Sequence, residues 1–411
     1  MRVALAALAA CLVLPVLVVP DAAVAAGATT ATAIGSPGLY SAVHRARALD
    51  TRITGAVDGK ATTKVRVTGI GDVPADGVVA VSVNLTVLTP AVTGSITAFT
   101  DGTSWSGATM TFQGGQTLQN FETVPVTTSG VIDLRNNTTG RLNLIVDVLG
   151  YYGRNPGSPG RYQPMTPSRV LDTRAGQPLA AGQTRTIAVG GRGGVPPQGD
   201  DLIAVATNVT VLTPGRSGSL TVGETDLRVK TTTMTFAAGQ TEQGQLVNLL
   251  DEHGGLSIRN NSTAAIQVIA DVVGYYLDVD TGNAGTFTYF IAGAHYRLYD
   301  SRASRAAPVP PGGTVWLPAQ DLTLPEGGDS GVCAPLLNVT VLSPSTGGSI
   351  SLWPDSTPWD GAATVTYSAH QTRQRMLLVR TGASGGVVVR NNSGAPITLI
   401  VDADGWRTCF G

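Results

Sequence analysis

The chain has 411 residues, a formal net charge of -1 and only 13% charged residues, about half the usual share for a soluble domain. Neither sign of charge forms a long run, which argues against nucleic acid as a partner. Gly, Thr, Val and Ser abound at the expense of helix-favouring charged residues, so β-structure is expected throughout.

The first 26 residues carry one Arg, then the apolar run Val3 to Val19, then small residues ending Ala23-Val24-Ala25-Ala26. That is the layout of a cleavable secretory signal. Removing it takes Arg2 and Asp21 together and leaves the net charge unchanged. No later apolar run approaches the roughly 18 to 20 residues of a spanning helix. The expected location is therefore extracellular, in solution or at the cell surface, without membrane insertion.

One pattern is then written three times. Arg47-Ala-Leu-Asp50-Thr-Arg52, Arg169-Val-Leu-Asp172-Thr-Arg174 and Arg297-Leu-Tyr-Asp300-Ser-Arg302 open the copies; strands beginning at Asn84, Asn208 and Asn338 follow, then turns at Arg135, Arg259 and Arg390, and a closing strand carrying Asp147, Asp271 or Asp402. Spacings of roughly 122 to 131 residues are far longer than solenoid repeats, so each copy is large enough to bury its own core. The boundaries fall at 37–153, 159–277 and 287–411, with short linkers rich in Gly and small residues.

Within a copy the period is two. In Val79-Ala-Val81-Ser-Val83-Asn84-Leu85-Thr86-Val87 the odd residues are apolar and the even ones small or polar, which aims one face at a core. Ile203, Val205, Val209 and Val211 repeat this, and Cys333 takes the matching inward position in the third copy. Turn signals such as Thr89-Pro90, Thr213-Pro214 and Ser343-Pro344 recur at sandwich spacing. The fold expected is all-β: three tandem β-sandwiches of jelly-roll type, either beads on a string or packed around a pseudo-threefold axis.

The closing strands are apolar on both faces, the mark of a central strand covered on both sides. An ionised Asp there needs partners, because a lone buried carboxylate is prohibitively costly. Two opening arginines and one turn arginine per copy are the supply. A threefold polar network is expected over Arg47, Asp50, Arg52 and Asp147; Arg169, Asp172, Arg174 and Asp271; and Arg297, Asp300, Arg302 and Asp402. The same set is also readable as a ligand site repeated for avidity.

These residues, with the Gly-Gln-Thr phrases and Asp-Val-x-Gly-Tyr-Tyr, resemble a repeat common in secreted actinobacterial proteins, found in tandem or appended to other domains. The resemblance covers nearly all of the mature chain and implies export and modularity rather than a chemistry. The third copy departs from it: Tyr299 and Ser301 replace Leu and Thr, and Trp406 replaces the Tyr pair.

The mature chain has two cysteines, Cys333 and Cys409, both in the third copy, and in an exported protein they are expected to pair. The chemistry-bearing motifs are weak. Gly328-Asp-Ser330-Gly lies 35 residues after His295, too close for a two-barrel serine protease. Gly382-Ala-Ser384-Gly-Gly386 has no following helix to make a nucleophile elbow. His44, His253, His295 and His370 show no metal-ligand spacing. Asp101, Asp226 and Asp355 follow equivalent strands and offer calcium an oxygen each, where three or more must converge. No catalytic residue and no cofactor is assigned.

Aromatics set the third copy apart. It holds Trp316, Trp353, Trp359 and Trp406, four of the five tryptophans. Trp353, Asp355, Trp359, Asp360 and Trp406 are the candidate ligand contacts, since a ring face beside hydrogen-bonding groups suits a sugar. Trp359 aligns with Trp105 and is equally readable as cover for a sandwich end. The function expected is secreted, non-catalytic recognition or scaffolding with a carbohydrate or cell-envelope polymer as ligand. The alternatives are a secreted glycan-acting hydrolase and a purely structural part of an extracellular assembly.

Overall fold

A computed structural model describes residues 38–104, 107–153, 160–199, 201–224, 232–278, 288–303, 306–322, 331–359 and 361–409, without the side chains of 288–295 and 409. Each copy folds as two antiparallel four-stranded layers. In the first copy the inner layer runs, in spatial order, seam strand Leu118–Pro125, Asn strand Val78–Leu88, closing strand Asn143–Gly153 and opening strand Leu39–Asp50. The outer layer orders Thr62–Arg66, Val131–Asn136, Gly94–Thr100 and Met110–Phe112. The other copies repeat this with closing strands Gln267–Asp278 and Thr398–Cys409, seam strands Glu242–Leu249 and Arg373–Leu378, and Asn strands Leu202–Leu212 and Val332–Leu342. The chain is three jelly-roll-like sandwiches.

Each sandwich has its own core. In the first, Val81, Val83, Leu85 and Val87 of the Asn strand and Leu144, Val146 and Val148 of the closing strand pack against Ile96, Met110, Ile132 and Leu134 of the outer layer. Val79 and Ile203 do not face this core. A register shift between Val78 and Ala80 switches the alternation, as a bulge does, and turns both residues toward a fourth cluster. Cys333, next to the equivalent shift in the third copy, is half-buried rather than inward.

That fourth cluster belongs to no single copy. Tyr40, Ala80, Phe121, Leu149 and Tyr152 meet Tyr162, Ala204, Ala206, Val247, Val273 and Tyr276, and Ala334, Leu336, Met376 and Leu378. Small alanines on the second face of the Asn strands let the inner layers approach. Gly150 does the same for the Tyr40 ring, since a Cβ there would lie 2.3 Å from its hydroxyl. The closing strand is therefore covered by its own sandwich on one face and by neighbouring copies on the other. Copies 1 and 2 also share one eight-stranded sheet, joined where Tyr40 pairs with Gly160.

Three seams close the arrangement with one repeated contact. Gln119 Nε2 donates to Thr232 O at 3.1 Å, Gln243 Nε2 to Ala363 O at 2.9 Å, and Gln374 Nε2 to Ala108 O at 2.5 Å. Thr235, Thr366 and Thr111 hydroxyls donate in return to Thr117, Thr241 and Thr372 carbonyls. Copy 1 thus grips 2, 2 grips 3 and 3 grips 1, a heterologous contact that closes after three steps. Thr117 and Thr241 belong to Gly-Gln-Thr phrases and Thr372 to the matching His-Gln-Thr, and the seam glutamine lies two residues after each threonine.

Candidate functional site

The opening arginines reach the closing aspartates in all three copies. Arg169 Nε donates to Asp271 Oδ1 at 2.8 Å and its Nη1 to Asp172 at 3.2 Å; Arg47 joins Asp147 and Asp50, and Arg297 joins Asp402 and Asp300, in the same way. Asp50, Asp172 and Asp300 cap the following short turns and are held down to about 2, chiefly by the side chains of Arg52, Arg174 and Arg302. Burial pushes Asp147 upward, against the pull of Arg47.

The turn arginines take no part, contrary to the supply read from sequence. Arg135, Arg259 and Arg390 ride on outer-layer strands: Arg259 donates to Thr184, and Arg390 stacks over Trp359 at 4.6 Å. Nor is the network fully interior. Arg47 keeps 35% of its side chain exposed, against 2% for Asp147, and both line an open groove at the seam between copies 1 and 2. Asp50, Asp147 and Asp402 are buried, whereas Asp172, Asp271 and Asp300 are half-buried, each beneath its arginines.

The candidate ligand contacts separate. Trp406 is 7% exposed and packs in the third core, because it stands where Tyr151 faces the first core. Asp355 is buried and consumed by a neighbouring strand and turn, accepting from Trp316 Nε1 at 2.9 Å, Ser384 N at 3.1 Å and Gly386 N at 3.2 Å. Neither presents a surface to a ligand. Asp360 lies outside the described residues, as do Asp226, Trp105 and the Gly328-Asp-Ser330 stretch. Trp353 and Trp359 remain together, stacked at 6.2 Å and 28°, Trp359 38% exposed and Trp353 half-buried. Asp101 is engaged by Lys64, and no group of three or more His, Cys, Asp or Glu side chains converges among the described residues.

The tryptophan pair forms one wall of a cleft at the seam between copies 2 and 3. Met165, Thr166 and Pro167 form the other wall, with Asn208 and Asp271 below. The cleft has a volume of about 60 Å³, room for only a few waters, so a larger ligand would lie across the cleft with one group inserted.

Sequence reasoning missed the centre. Arg407 occupies the position of Tyr152 and Tyr276, is fully buried, and its Nη2 donates to both hydroxyls at 3.0 and 2.8 Å. The Tyr162 ring lies 4.5 Å from its guanidinium carbon, a cation–π contact in a buried site. The signal was present in the Tyr-Tyr to Trp406-Arg407 change. Nearby, burial and then Asp404 push Glu122 far above the carboxylate range, and Glu242 holds both Arg373 and Arg375 across the next seam.

No family model and no curated protein matches the chain. A solved structure described as "Life in the extremes: atomic structure of Sulfolobus Turreted Icosahedral Virus" aligns over 91% of this chain and 92% of its own at 9% identity, with a TM-score of 0.20. Another, "The Triple Jelly Roll Fold and Turret Assembly in an Archaeal Virus", covers 91% of each at 8% identity and 0.17. Overlays this loose support no inference. The jelly-roll-like fold stands on the strand topology itself.

Proposed function

We propose that the chain is an exported, non-catalytic recognition and scaffolding module acting at or outside the cell surface, with a carbohydrate or cell-envelope polymer as ligand. The observation that carries this is the stacked, part-exposed Trp353–Trp359 pair beside an inter-copy cleft: an aromatic face next to hydrogen-bonding groups is what a sugar ring requires. The interlocked copies hold both walls of that cleft without any ordering on binding, which favours affinity. Export is supported by the N-terminal apolar leader and by the resemblance to secreted actinobacterial repeats, and it would let the two cysteines of the mature chain, Cys333 and Cys409, pair.

A purely structural role is the second reading, favoured by how much surface the three copies spend on one another. A pull-down on glycan and cell-wall material separates the two. Retention of the intact protein that drops for Trp353→Ala is expected; equal retention, or none for either, would rule out the glycan ligand. Alkylation without reductant should leave the mass unchanged, whereas labelling of Cys333 and Cys409 would refute the disulfide.

A further inference from the structure

The cleft beside the tryptophans has a sister. At the seam between copies 1 and 2, Val43, His44 and Arg45 stand where Met165, Thr166 and Pro167 stand at the next seam, and Val222, Gly223 and Glu224 stand where Leu352, Trp353 and Pro354 do. The two differ in what fills them. Arg45 inserts its guanidinium into the first, donating from Nη1 to Thr233 Oγ1 at 2.8 Å and from Nη2 to Val222 O at 3.3 Å. Burial lowers Arg45 to about 10, and the charge of Asp147 opposes that fall.

At the second seam Pro167 has no such group to insert. The acceptors that Arg45 would use are nonetheless in place: Thr364 Oγ1 and Leu352 O keep the mutual geometry of their counterparts, with Leu352 N donating to Thr364 Oγ1 at 2.9 Å as Val222 N does to Thr233 at 2.8 Å. Asp271 stands where Asp147 does, 14% exposed. Asn208 Oδ1 is buried beneath the cleft without a hydrogen-bond partner. A floor of acceptors and one carboxylate, walled by indole faces, suits a cation carrying several N–H donors.

We propose that the cleft between copies 2 and 3 binds the protonated amine of an amino-sugar glycan, the ammonium taking the place that the Arg45 guanidinium holds in the sister cleft and the sugar ring lying on Trp353 and Trp359. This rests on the glycan reading and adds the charge of the ligand to it. Three arginines oppose the ammonium: Arg169 is engaged by Asp271 and Asp172, as Arg47 is in the sister site that accepts Arg45; Arg390 lies over the Trp359 ring; and Arg380 sits exposed at the rim where the sister has Leu249.

The test is calorimetric titration of the full chain with a β-linked glucosamine tetramer and with its N-acetylated counterpart. The amine form should bind at least ~10-fold more tightly, the effect of one good charge-assisted contact. Pro167→Arg, which supplies the missing guanidinium, should abolish that binding, as should Trp353→Gly, which installs the sister residue; unchanged melting of either variant confirms that it is folded. Arg380→Gln should tighten it. Equal affinity for both tetramers would overturn the amine assignment and leave the glycan reading intact, whereas binding of neither would overturn both. Undiminished binding by a folded Pro167→Arg would overturn the location.

Discussion

The three sandwich cores and the cluster they enclose are built by opposite rules. Each core is apolar and nearly the same in every copy: Leu85, Val209 and Val339 are all buried, and so are Leu144, Val268 and Leu399. The shared cluster instead contains a buried Arg407, and the carboxyls of Glu122 and Asp404 are buried close by. The difference follows from geometry. A core meets only itself, so three copies of one solution all work, but side chains from three copies converge at an axis and must fit one another. Two tyrosine hydroxyls facing each other are satisfied by a third residue that only donates, and arginine has donors and no acceptor.

Breaking that central contact should have the largest effect. Arg407→Ala removes the donor to two buried hydroxyls and opens a cavity, and should lower stability by about 3–5 kcal/mol in urea unfolding; Arg407→Tyr, the residue of the sister copies, should recover part of this. A loss under about 1 kcal/mol would show that the axis is not structural. Glu122→Gln should act in the other direction. Replacing a carboxyl that burial holds protonated relieves its desolvation cost and should raise stability at neutral pH by about 1–2 kcal/mol.

Gln243→Ala, which cuts one seam hydrogen bond and leaves Ala363 O unpaired, should cost about 1 kcal/mol. Acid supplies a further comparison. Asp50, Asp172 and Asp300 have folded values near 2, below the ordinary carboxylate value of about 4, so the stability they give is complete above about pH 4. It is lost as pH falls from there toward 2. Glu122 has the opposite sign: its protonation favours the fold as pH falls toward about 4.5, so Glu122→Gln should remove that rise in unfolding measured against pH and leave the limb below about pH 4 unchanged. Trp353→Ala, half-buried at a seam, should cost the least stability, about 0.5–1 kcal/mol, while removing ligand retention.

The network was legible because burying an aspartate in an apolar strand forces a partner, and the Arg-x-x-Asp-x-Arg phrase was the nearest one. The turn arginines were misjudged because sequence places them near the closing strand while the sandwich puts them in the opposite layer. Trp406 and Asp355 were misjudged for a related reason: residue type suggested a contact surface, and only packing shows a ring inside a core and a carboxylate consumed by Trp316 and two backbone amides. The Gly-Gln-Thr phrase was visible as a repeat, yet the seam partners of its threonine and of the glutamine two residues on lie in the next copy, so its role had no local signature.

What the sequence determined by itself was each copy taken singly: alternation of period two fixes strands and their core face, and turn residues fix where strands reverse. What tertiary structure decided was everything on the second face of the inner layers, namely which copy covers which strand, where Arg407 lands, and that Pro167 leaves a cleft that Arg45 fills elsewhere. The physical reason is range. Strand pattern is settled by neighbours two residues away, while those contacts join side chains more than a hundred residues apart, which meet only after three copies have closed.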